Sequence, residues 1–207
     1  MAKRSKSSHR WIARQRRDPY ARLAAADGLG SRAHFKLEQL DRRFGLIGPS
    51  MRVLELGAAP GGWTRYLARR VSPAKGGRVV AVDVRVMDVP AGVRFIQQDI
   101  HDDSFVARLD AALGGGLQLV LSDMAPNISG VKAADQAASM ALVNLATDAA
   151  LRWLNPGGHL VVKMFQGGGV DDWVRERRAE FEKVLLAKPD ASRSGSREVY
   201  GVALDFR

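Results

Sequence analysis

Apolar residues recur along this chain with two alternating periods. Ala33, Leu37, Leu40 and Phe44 return at helical spacing and predict a helix from about residue 31 that buries one stripe. Gly45, Gly48 and Pro49 then stop it. Short apolar runs bounded by Gly, Pro, Asp and Ser predict strands at 51–56, 78–82, 93–97, 117–121, 159–164, 183–188 and 198–205. Helical patterns at 63–71, 102–113, 133–154 and 170–181 fall between most of them, and residues 155–158 (Asn-Pro-Gly-Gly) end the long one. This alternation predicts an α/β fold: a mostly parallel seven-stranded sheet with helices on both faces. No helix separates the last two strands, so the final strand is expected to run antiparallel. Residues 1–18 carry no such periodicity and read as a flexible arm before a single domain spanning 19–207.

Against this pattern a few charges stand out. Lys36 sits at the edge of the first helical stripe. Asp123 ends the run Leu-Gln-Leu-Val-Leu-Ser-Asp, Lys163 ends His-Leu-Val-Val-Lys, and Glu198 opens Arg-Glu-Val-Tyr. Charges are seldom placed in apolar runs unless paired or used. Asp83 and Asp99 also stand at or just past strand ends. In open α/β sheets, ligands bind beyond the carboxyl ends of the strands, so Asp83, Asp99, Asp123 and Lys163 fall where a site is expected.

Composition narrows the chemistry. A chain of 207 residues with 46% hydrophobic residues has room for one full core. No apolar run is long enough to span a membrane. The absence of cysteine excludes disulfides, thiolate metal sites and a cysteine nucleophile, and with it base methylation through a covalent cysteine adduct. His9, His34, His101 and His159 lack metal-ligand spacing. Of a net charge of +10, seven positive charges (Lys3, Arg4, Lys6, Arg10, Arg14, Arg16 and Arg17) precede the first acid, Asp18. A concentrated basic arm points to a polyanion such as nucleic acid, a solvated tail being the plain alternative. Its Arg- and Ser-rich, acid-free character also resembles an organellar transit segment.

The loop Gly57-Ala58-Ala59-Pro60-Gly61-Gly62 follows the first strand and opens a helix, where backbone N–H groups can face a ligand. In a dinucleotide fingerprint a glycine would stand where this chain has Ala59, which argues against a nicotinamide cofactor. A tight turn without a ligand is the structural alternative.

Extended to Glu55-Leu56-Gly57-Ala58-Ala59-Pro60-Gly61-Gly62-Trp63, the loop resembles the first motif of S-adenosylmethionine-dependent class I methyltransferases. Four further segments match in order and spacing: Ser31-Arg32-Ala33 through Phe35-Lys36-Leu37, Ser122-Asp123-Met124-Ala125-Pro126-Asn127, Val162-Lys163 with Phe165-Gln166-Gly167, and Ser196-Arg197-Glu198-Val199-Tyr200. Together they resemble the FtsJ/RrmJ-type ribose 2′-O-methyltransferases, from about Arg10 to the C-terminus. The resemblance is strongest to bacterial enzymes that methylate a uridine ribose in the A-loop of 23S ribosomal RNA.

The resemblance implies a class I, Rossmann-like methyltransferase fold and S-adenosylmethionine as cofactor. It implies cofactor contacts from Gly57, Ala58, Gly61, Gly62, Trp63, Asp83, Asp99 and Asp123, with Asp83 on the ribose diol and Asp99 on the adenine amino group. For Trp63, core packing is the alternative. It assigns a catalytic tetrad to Lys36, Asp123, Lys163 and Glu198. It further implies a monomeric, cytoplasmic enzyme without a metal, acting on 23S ribosomal RNA within the large subunit. A free lysine titrates near 10.4. Burial and a neighbouring ammonium lower such a value and nearby carboxylates raise it, so a neutral base and a cationic stabiliser both stay open for Lys163. The rival outside enzymology is a non-catalytic RNA-binding ribosome-assembly factor with this fold; the intact tetrad and glycine loop argue against it.

Overall fold

Strand β1 (Arg52–Leu56) is the centre from which the sheet grows. It pairs in parallel with β2 (Arg78–Asp83) on one side and β4 (Leu117–Ser122) on the other. The full order is β3-β2-β1-β4-β5-β7-β6, where β3 is Val93–Gln97, β5 Leu154–Phe165, β6 Phe181–Ala187 and β7 Glu198–Phe206. β7 alone runs against the others, between β5 and β6. The seven strands and the antiparallel final strand are as the sequence pattern predicts. The structure, a computed structural model, describes residues 19–26, 29, 31–193 and 195–207; the predicted basic arm at 1–18 lies outside the described residues.

Side-chain alternation along the strands makes two cores, one on each face. Leu54, Leu56, Val120 and Val162 face α4 (Phe105–Leu113), α5 (Lys132–Trp153) and α6 (Val170–Arg177). Val53, Leu121, Val161 and Val202 face α2 (Ala33–Phe44) and α3 (Gly62–Arg70). At the amino end, α1 (Pro19–Ala26) is a further short helix, rich in alanine, that the sequence pattern does not announce as a separate element.

The boundaries correct the sequence reading at one informative place. Asn155 to Gly158 do end α5, but they belong to β5, which begins at Leu154. Leu117 pairs with Leu154 and Leu119 with His159, so the ladder absorbs the turn residues as a register shift. That shift sets the register downstream, Ser122 opposite Val162, and thereby brings Asp123 level with Lys163.

Candidate active site

The carboxyl ends of β1, β2, β4 and β5 open into a cavity of about 730 Å³. Its wall includes Leu56, Gly57, Val82, Asp83, Asp99, Ile100, Asp123, Leu142 and Lys163. Gly57 is there for steric reasons. It holds a φ of +77°, and a Cβ would stand 2.8 Å from the Met124 backbone nitrogen. Any side chain would push apart the loops after β1 and β4.

Asp83 is almost fully buried. Its Oδ2 accepts the Ala59 N–H at 2.8 Å and its Oδ1 the Arg85 N–H at 2.8 Å. These bonds fix the carboxylate at the cavity edge; Oδ1 also takes the Arg85 Nε–H at 3.5 Å, which leaves most of the free acceptor capacity on Oδ2. Asp99 is half exposed. Hydrogen bonds from the His101 backbone N–H and ring hold its carboxyl below the usual range, so it stays charged.

The tetrad predicted from sequence comes together as two ion pairs. Lys163 Nζ lies 3.1 Å from Asp123 Oδ1 and also donates to the Asp123 carbonyl. Lys36 Nζ lies 2.6 Å from Glu198 Oε1. All four side chains are largely buried, at 9–18% exposure, so each charge depends on its partner.

Tyr200 joins the pairs, and the sequence reading assigned it no role. It is opposite Lys163 in the β5–β7 ladder. Its hydroxyl donates to Asp123 Oδ1 at 2.9 Å and stands 3.4 Å from Glu198 Oε1. Burial first, then the charges of Asp123 and Glu198, push its pKa well above the ordinary 10, so it remains a donor. The signal was its spacing: two residues after Glu198 on a strand share one face. Ser192 adds a hydroxyl to Glu198 Oε1 at 3.0 Å.

A further acid lies beneath. Glu55 is 1% exposed; its Oε2 accepts the Thr64 hydroxyl at 2.7 Å, and its Oε1 has no hydrogen-bond partner. Desolvation chiefly, with Asp123 and Asp83 adding to it, raises its pKa to about 8. It is protonated at neutral pH.

Other residues singled out by sequence stand apart from the cavity. Trp63 is 2% exposed; its indole N–H donates to Ala33 O at 2.8 Å and its ring tilts against Tyr200 with centroids 5.8 Å apart. It packs beneath the tetrad, and its one polar atom is satisfied by the first turn of α2. Ala58 donates its N–H to Val82 O. Gly61, at φ +94°, precedes the first turn of α3. Gly62 lets α2 approach: a Cβ there would meet Ser31 Oγ at 2.4 Å. These three shape the loop without lining the cavity.

Three carboxylates, the Lys163 ammonium, the Arg85 guanidinium and an apolar wall that includes Leu56, Val82, Ile100 and Leu142 make a lining suited to a nucleoside. With a glycine loop at the end of β1 and an antiparallel β7, this is the architecture of a class I S-adenosylmethionine-dependent methyltransferase. The FtsJ-like methyltransferase family matches residues 29–206, and the chain belongs to it. It is 49% identical over 205 residues to ribosomal RNA large subunit methyltransferase E of Marinobacter nauticus, covering 99% of this chain and 98% of the relative. The protein of the same name from Acidithiobacillus ferrooxidans is 46% identical over 204 residues, covering 99% of this chain and 92% of the relative. A crystal structure described as a ribosomal RNA methyltransferase from Plasmodium falciparum superposes with a TM-score of 0.77 at 28% identity, covering 86% of this chain and 98% of that one. The fibrillarin/Nop5p complex shares the fold, with a TM-score of 0.55 at 16% identity over 83% of this chain and 81% of that one. The cofactor is S-adenosylmethionine. Among the described residues no group of acids and histidines is arranged to hold a metal, and no helix is long and apolar enough to cross a membrane.

Proposed function

We propose that this chain methylates ribosomal RNA, transferring the methyl group to the 2′-hydroxyl of a uridine ribose in the 23S A-loop on the large subunit. One observation carries the reading: Lys163 stands at the cavity wall, clamped by Asp123 and backed by Tyr200, Glu198 and Lys36. A ribose hydroxyl is a weak nucleophile, so the site must position it and manage its proton. S-adenosylmethionine supplies an electrophilic methyl on a sulfonium. In this proposal Asp83 takes the cofactor's ribose hydroxyls and Asp99 its adenine amino group, while Gly57 permits the close approach.

Asp123 occupies two hydrogens of Lys163 Nζ. The nitrogen is tetrahedral, so the direction left over serves the substrate. As a neutral amine it offers a lone pair to the hydroxyl proton; as an ammonium it offers a hydrogen to the developing alkoxide. Bound S-adenosylmethionine would supply the methyl group and leave as a neutral thioether, and Lys163 or solvent would take the hydroxyl proton. The names of the relatives support ribosomal RNA as substrate.

The test is methyl transfer from labelled S-adenosylmethionine to large subunits and to stripped 23S RNA, followed by mapping. A label resistant to alkaline cleavage at one A-loop uridine is the expected outcome. A label on a base, or RNA binding without turnover, overturns the reading; the second would favour an assembly factor.

A further inference from the structure

Beyond the cavity wall the chain holds two large apolar side chains in water. Ile128 is 63% exposed and Val131 61%, both on the loop between Asn127 and α5. The loop is pinned from below. Asp135, buried in the first turn of α5, accepts the Ser129 N–H and hydroxyl at 2.7 Å each and the Gly130 N–H at 3.3 Å. Val131 N–H in turn donates to Ser129 Oγ at 3.1 Å. These bonds, with the charge of Arg197, hold the Asp135 carboxyl below its usual range.

The same helix end grips a second element. Gln136 donates to the carbonyls of Phe165 at 3.0 Å and Gly168 at 2.8 Å, and Ser139 Oγ accepts the Phe165 N–H at 3.2 Å. The exposed Arg197 guanidinium lies 5.5 Å from the centre of the Phe165 ring. Phe165 is two residues past Lys163 and pairs with Glu198. One helix end therefore brackets an apolar loop and a guanidinium–aromatic pair immediately outside the tetrad.

We infer that this rim is a nucleobase platform: Ile128, Val131 and the Arg197–Phe165 pair receive an unpaired base adjoining the ribose that reacts. Unpaired RNA bases are recognised on aromatic, apolar and guanidinium surfaces. The charge fits as well, since exposed Arg197 and Lys132 flank the apolar pair and suit a phosphate chain. The inference rests on the proposed RNA methylation and adds a surface that positions the nucleotide.

The test compares the full-length protein with the surface variants Ile128→Ser/Val131→Ser and Arg197→Ala. Substrates are stripped 23S RNA, large subunits, and a 23S RNA carrying an abasic residue beside the methylated ribose. The KM for stripped RNA is expected to rise about 5- to 150-fold, the range of losing one base stack. S-adenosylmethionine affinity by calorimetry should stay within twofold. The abasic RNA should penalise the wild-type protein and add little to the variants' loss. Unchanged KM in both variants, with wild-type methylation intact, overturns the platform but not the methylation. Loss on intact subunits alone, with stripped RNA unaffected, also overturns it and assigns the rim to a ribosomal protein. A wild-type protein inactive on every RNA substrate overturns the methylation reading itself.

Discussion

The two halves of the site are built by different means. On the β1–β3 side, Asp83 is anchored chiefly by backbone N–H groups from the neighbouring loops, with the Arg85 guanidinium at 3.5 Å as its one side-chain partner. On the β4–β5–β7 side, Lys36, Glu198, Tyr200, Asp123 and Lys163 hold one another, side chain to side chain. A backbone anchor survives changes in surrounding side chains, because the fold supplies it. A chain of buried charges does not, since removing one member leaves its partner unpaired. The first arrangement suits holding a cofactor. The second suits a reaction that needs charge at one point.

Lys163→Ala tests that division most severely. Single-turnover methyl transfer, followed by rapid quench with labelled cofactor, should fall about 10²- to 10⁴-fold. Cofactor affinity should barely change. An equal loss in both would erase the distinction between the halves. Asp83→Ala is the mirror experiment. Loss of a charged acceptor costs about 1.5–3 kcal/mol, so the calorimetric Kd for S-adenosylmethionine should rise about 10- to 150-fold. Transfer at saturating cofactor should change only a few-fold; a collapse there would place Asp83 in the chemistry.

Glu55 lies electrostatically between the halves, near both Asp83 and Asp123. Its carboxyl rises from 4.5 in the free state to about 8 in the folded protein. Between those values the folded state binds the extra proton, so stability falls as pH rises. The contribution is complete below pH 4.5 and is lost by the time pH has passed about 8. The slope reaches at most about 1.4 kcal/mol per pH unit. Glu55→Gln should keep the Thr64 bond and flatten that slope in denaturant unfolding between pH 5 and pH 8. Parallel pH profiles for the two proteins would show Glu55 ionised in the fold. The smallest effect is expected for Tyr200→Phe. Measured on transfer, it removes one hydrogen bond to a carboxylate and should slow the reaction a few-fold without touching cofactor affinity, while costing about 1.5–3 kcal/mol of stability by urea unfolding. A loss as large as that of Lys163→Ala would give Tyr200 a direct part in the reaction.

What sequence reveals divides along similar lines. Lys36, Asp123, Lys163 and Glu198 were visible because a charge within an apolar run demands a partner, and the structure supplies one for each. Tyr200 was not, because a tyrosine among apolar strand residues looks like core until its hydroxyl is seen against Asp123. Trp63 shows the opposite case. Its place beside the glycine loop suggests ligand contact, while its burial and its bond to Ala33 are what core packing gives. Strand and helix periods carried the fold. The turn residues Asn155 to Gly158 misplaced the start of β5, because local turn chemistry does not record that β4 can absorb the irregularity.

The place of β7 bears on how the molecule comes apart. β6 is joined to the sheet only through β7, so if β7 detaches from β5, β6 leaves with it. No residue of either strand lines the cavity, whereas Glu198 and Tyr200 both ride on β7. A partial opening at this edge would thus carry Glu198 and Tyr200 away from Lys36, Asp123 and Lys163 and leave the cavity walls standing. In hydrogen exchange, the amides of β6 and β7 would then form one cooperative unit, separate from β1 and β2. Retention of the methyl donor and competence to use it would have different thresholds of denaturation, the second lower than the first.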